Sequence, residues 1–137
     1  MKKYEQIDIS GDVGLKAWGQ DLEELFQNAA EGLFTLITDS SSVRASWTRK
    51  VHVTAESMDD LLVSWLNELI FIFDTYSFIG KKFSVSIDNN SLKAEIQGGM
   101  FDPDRNESRL LIKAATYHEL SIQKIDSYWK AHIIFDI

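Results

Sequence analysis

DLEELFQNAAEGLFTLITD, residues 21–39, places Leu22, Leu25, Phe26, Ala29, Ala30, Leu33, Phe34 and Ile37 at the i, i+3, i+4, i+7 spacing of one helical face. Asp21 stands where a side chain can accept from the free N–H groups of a first turn, with Glu24 three residues on in the capping-box position. Glu23, Gln27, Asn28 and Glu31 are expected to cover the outside. The spacing predicts a helix over 21–38. A second helix opens at Ser57, with Asp60 three residues later, and repeats Leu61, Leu62, Trp65, Leu66, Leu69, Ile70 and Phe73 at the same period. Phe71 and Ile72 widen its apolar stripe, and it is expected to end near Thr75–Tyr76.

The remaining chain alternates with period two, the mark of half-buried strands. Val51, Val53 and Ala55 form one such set; Phe83, Val85 and Ile87 form another; Leu92, Ala94 and Ile96 follow. Asp88-Asn89-Asn90-Ser91 separates the last two sets with residues that tolerate turn geometry, which predicts a hairpin. Further strands are expected at Leu110–Ala114, from Leu120, and from Trp129 to Asp136 after a turn near Asp126–Ser127. At the front, Tyr4–Ile9 and Val13–Trp18 are broken at Ser10-Gly11-Asp12. Two helices set among runs of sequential strands predict an α+β fold, with both helices on one side of largely antiparallel sheet.

The bulk numbers narrow the function. With 137 residues the chain is expected to form a single domain. It carries 14 Lys+Arg against 21 Asp+Glu, a net charge of −7. The basic pairs Lys2-Lys3, Arg49-Lys50 and Lys81-Lys82 are too short to neutralise a run of phosphates, so strong direct nucleic-acid binding is not expected. An acidic balance suits a basic or metal-bearing partner. Cysteine is absent, which removes disulfides, zinc ribbons and thiol catalysis and fits a cytoplasmic location. MKKYEQIDIS lacks the apolar core of a signal peptide. LLVSWLNELIFIFD, 61–74, is too short and too polar to cross a bilayer, so no membrane association is expected.

Candidate chemistry centres on oxygen donors. The sequence closes on AHIIFDI, where Asp136 alternates out of phase with Ala131, Ile133 and Phe135 and stands beside the carboxyl group of Ile137. Two adjacent negative groups repel unless a cation sits between them. Asp12, between Gly11 and Val13-Gly14 in SGDVGLKAWG, would be a third donor, against the commoner reading of a turn residue stabilising its own loop. Asp136 reads equally as an exposed acid on an edge strand. Were the three to meet, their oxygens would suit Ca²⁺ or Mg²⁺ rather than a transition metal. FDPDRNES, 101–108, lacks the glycine and closing glutamate of an EF-hand and reads as a turn, with Arg105 a candidate partner contact. His52, His118 and His132 show no zinc spacing. Tyr117 and His118 in TYHE are candidates for partner contact or proton transfer, against an ordinary structural role. No nucleophile elbow, phosphate loop or dinucleotide fingerprint is present.

DVGLKAWG, DLEELFQNAAEGLFTLITD, DLLVSWLNELIFIFDT, FDPDR, KAATYHEL and IIFDI, in that order, resemble the archease family over essentially the whole chain. The resemblance implies a non-enzymatic protein cofactor of an RtcB-type RNA ligase in tRNA splicing and RNA repair. Archeases promote guanylylation of the ligase histidine by GTP, support multiple turnover and broaden nucleotide use. The resemblance carries the family's metal site to Asp12, Asp136 and Ile137, with Ca²⁺ the usual ion. Two positions depart from the family pattern. Ile9 stands where a histidine is common before the first motif's aspartate, and Asn106 stands where a histidine is frequent after the loop arginine. The alternative is a chaperone-like binding module for RNA-processing proteins without catalytic coupling; an enzyme using Tyr117 and His118 is the third reading.

Overall fold

The computed structural model describes residues 2–137. The elements are β1 (Tyr4–Ile9), β2 (Asp12–Gly19), α1 (Leu22–Ile37), β3 (Trp47–Thr54), α2 (Met58–Tyr76), β4 (Phe78–Asp88), β5 (Ser91–Met100), β6 (Ala114–Ala115), β7 (Ser121–Ile125) and β8 (Tyr128–Asp136). Both helices start where their caps predict. The Asp21 carboxylate accepts from the Glu24 N–H at 2.8 Å, and Ser57 Oγ accepts from the Asp60 N–H at 3.1 Å. The second helix closes on Ser77, whose left-handed φ of 56° lets its N–H reach the Phe73 carbonyl.

Every strand pairing is antiparallel, and the class is α+β as expected. The strands divide into two sheets, a division that alternation alone does not disclose. One runs β1-β2-β8-β6, with β7 also on β8; the other runs β3-β5-β4. In the second sheet the pair Asp88–Ser91 closes a two-residue turn in which Asn89 takes a positive φ of 55°, a conformation asparagine tolerates.

Helix α1 lies between the sheets. Toward the first, Gly32 sits directly on Leu15, and Tyr4 Oη meets Thr35 Oγ1 at 3.0 Å. Toward the second, the Phe34 and Phe83 rings stack with centroids 5.9 Å apart. The second helix joins this core through Trp65, fully buried, whose Nε1–H donates to the Phe26 carbonyl at 3.0 Å. Phe26, Phe34, Trp65, Leu15 and Phe135 are all buried. Burying side chains of this size stabilises by about 1.5–3 kcal/mol each.

Two expectations change. Glu23, Gln27 and Asn28 do not simply cover an outer face, because α1 has sheet on two sides. Asn28 Nδ2 donates to the Trp18 carbonyl at 2.7 Å, while Gln27 Oε1 and Glu23 Oε2 accept from the Val85 and Ile87 amides, each at 3.0 Å. Gln27 and Glu23 thereby occupy donors along the border of β4 that a further strand would otherwise take. The strand expected at Leu110–Ala114 shrinks to Ala114–Ala115. Just upstream, the Arg109 and Leu110 amides turn instead to the carbonyls of Ile37 and Leu36 at the end of α1, both at 3.0 Å. Those carbonyls are among the acceptors a helix end leaves free, and they compete with a strand ladder.

Candidate functional site

The hairpin β1–β2 turns at Ser10-Gly11, where Gly11 takes φ 82°, and returns with Ile9 paired to Asp12. The strand that starts at Asp12 then pairs along its length with the strand that ends at Asp136, from Gly19–Trp129 to Val13–Phe135. One step beyond that last pair, the same register sets Asp12 across from Asp136. Alternation sends both away from the core face that Val13 and Phe135 occupy. Directly opposed residues of antiparallel strands hold their Cβ atoms about 4.5–5.5 Å apart, and like charges so placed destabilise one another. On the other flank of β8, Ala114 pairs with Asp136, and the Lys113 N–H donates to the Asp136 carbonyl at 2.8 Å. Ile137 follows immediately and is exposed.

Neither Asp12 nor Asp136 belongs to an ion pair among the described residues. No three His, Cys, Asp or Glu side chains gather there as a metal-binding group. A cation at this strand end would therefore need main-chain oxygens of Ile137 besides the two aspartates. Such a donor set, oxygen throughout and anionic, fits Ca²⁺ or Mg²⁺ and does not fit zinc or copper.

The other candidates lie elsewhere. Tyr117 and His118 follow β6, in a turn where Glu119 takes φ 53°. Thr116 ties this segment to β8, its N–H and Oγ1 both donating to the Ile134 carbonyl, at 3.0 and 2.8 Å. Tyr117 is exposed, and the Asp60 carboxylate of α2 beside it, as hydrogen-bond acceptor and negative charge, holds its phenol above the ordinary value. Such a phenol gives up its proton less readily, which counts against Tyr117 as a base near neutral pH. His132 is engaged through Nδ1 with the Glu119 carbonyl at 2.9 Å, and His52 Nε2 meets Ser91 Oγ at 3.0 Å.

Arg105 projects into solvent from the 101–109 loop, 3.7 Å from Asp102. Asn106 next to it is buried. Its Oδ1 accepts from the Asp102 N–H at 2.7 Å, and its Nδ2 donates to Ser42 Oγ at 2.9 Å. The family departure at this position is thus a staple between two loops, not an exposed contact. Sequence reading missed Asn67, whose amide matches Ala115 at both ends: Nδ2 donates to its carbonyl at 3.3 Å and Oδ1 accepts from its N–H at 2.8 Å. Its only signal was an amide inside an apolar helix. Shallow clefts occur away from the strand end; one of about 470 Å³ opens on the second sheet beside Lys50, His52, Ser84 and Lys93.

These features define a small α+β module, two antiparallel sheets around a central helix with paired carboxylates at one strand end. The chain belongs to the archease protein family, whose profile matches residues 4–137. It is 39% identical over 140 residues to protein archease of Methanothermobacter thermautotrophicus and 34% identical over 139 residues to that of Sulfurisphaera tokodaii, each match covering 100% of both chains. The solution structure of Methanobacterium thermoautotrophicum protein 1598 superposes with a TM-score of 0.88 at 39% identity, over 100% of both chains. A Thermotoga maritima crystal structure, described as an archease and possible chaperone, shares the fold with a TM-score of 0.71 at 19% identity, covering 97% of this chain and 96% of that one. Among the described residues no helix is long and apolar enough to cross a membrane.

Proposed function

We propose that this archease is a protein cofactor of an RtcB-type RNA ligase. In this reading it promotes guanylylation of the ligase histidine and lets the enzyme turn over repeatedly in tRNA splicing and RNA repair. The observation that supports the reading is the β2–β8 register, which, continued one step past Val13–Phe135, sets Asp12 across from Asp136. Together with the main-chain oxygens of Ile137 they would hold Ca²⁺ or another hard cation such as Mg²⁺. They would also present negative charge to a metal-bearing ligase centre.

The test is single-turnover formation of the ligase–GMP adduct, with and without the chain. Asp12→Ala and Asp136→Ala are expected to keep the fold and to weaken stimulation by at least about tenfold, the scale of losing a group that supports a metal site. Removal of Ile137 should act in the same direction. Full stimulation by both aspartate variants would remove the proposed role of the strand end. The exposed apolar side chains Phe71, Leu111 and Tyr117 also accommodate a chaperone-like binding module. Binding to the ligase with no effect on adduct formation would favour that second reading.

A further inference from the structure

We propose that the solvent-facing side of α2, with the segment running beside it, docks a basic protein surface, and that this surface belongs to the ligase; the inference rests on the cofactor reading above. Helix α2 contains Asp59, Asp60, Glu68 and Asp74 and no Lys, Arg or His. None of the four carboxylates enters an ion pair among the described residues. At about 100° per residue, Asp60, Asn67, Phe71 and Asp74 fall along one face, with Glu68 at its margin.

Phe71 breaks the polar character of that face, being 53% exposed although the residues on either side of it, Ile70 and Ile72, are buried. The neighbouring segment is fastened to this helix through the Ala115 backbone, whose carbonyl and N–H both meet the Asn67 amide. It exposes Tyr117 at 58% and Leu111 at 69%. Large apolar and aromatic side chains beside predominantly acidic ones are the makings of a protein interface with an apolar centre and a charged rim.

The charge selects the occupant. A second copy docking through the same face would set these carboxylates against their own counterparts. Nucleic acid and anionic lipid are repelled, and Lys113 on the neighbouring segment offsets one of the three acids, Asp60, Glu68 and Asp74, on this face. An enzyme that grips RNA must carry Lys and Arg to neutralise phosphates, and so offers the complementary sign.

The experiment measures the Kd of the full chain for an RtcB-type ligase from the same organism, at low and high salt, beside the guanylylation assay. Phe71→Ser and the double variant Glu68→Gln/Asp74→Asn are each expected to weaken binding by about tenfold or more. The double variant should also flatten the salt dependence. Glu5→Gln/Glu95→Gln removes the same charge from elsewhere on the surface and should bind like the unaltered chain, with circular dichroism verifying the fold of all three. Equal losses in both double variants, or none in the α2 variants while stimulation persists, would overturn this docking surface and leave the cofactor reading standing. A chain that neither binds nor stimulates the ligase would overturn both.

Discussion

Single side chains here are set by partners far away in sequence. Tyr117 is an exposed phenol on a turn, yet its protonation is governed by Asp60, placed in the first turn of α2. Because its folded value is raised, the contact stabilises fully below the unfolded value near 10.0 and is lost as pH rises through the higher folded one. Asp60→Asn should therefore move the phenolate transition of Tyr117 to lower pH, read by ultraviolet absorbance against a Tyr117→Phe blank; an unmoved transition would contradict the pairing. None of this is visible in TYHE itself. A tyrosine's partner 57 positions upstream leaves no mark on local composition, whereas the oxygen chemistry of Asp12 and Asp136 is legible from their residue types. What remained hidden was whether the two strands pair, because register depends on long-range contacts that period-two alternation does not specify.

At the level of elements, both helices were legible almost to the residue, since caps and a 3.6 period are local signals. The hairpin at Asn89–Asn90 was legible for the same reason. The 109–115 segment was not. Its alternating apolar residues read as a strand, but the free carbonyls of α1 and the Asn67 amide claim most of its backbone. Asn67 substitutes for a neighbouring strand by offering one donor and one acceptor at peptide-like spacing. Asn67→Ala should leave the Ala115 N–H and carbonyl without those partners in a buried position and lower stability by about 1–3 kcal/mol, measured by urea unfolding. A smaller loss would mean that water or α2 itself takes over the bonds.

For the molecule as a whole, α1 acts as the common wall of two sheets, so polar side chains that look like surface serve as fittings between layers. Glu23→Ala combined with Gln27→Ala should release the Val85 and Ile87 amides, lower stability by about 1–3 kcal/mol, and make sedimentation depend on protein concentration as the freed border recruits other chains. Unchanged sedimentation and unfolding would show that those two contacts are incidental. In the native chain the helix already caps that border, leaving β3 as the opposite margin of the three-stranded sheet. That margin carries Arg49, Lys50 and His52. In a crowded solution, lateral growth of this sheet by a stray copy is confined to one flank, where a newcomer aligned strand to strand would meet the basic pair Arg49-Lys50 with the same pair of its own.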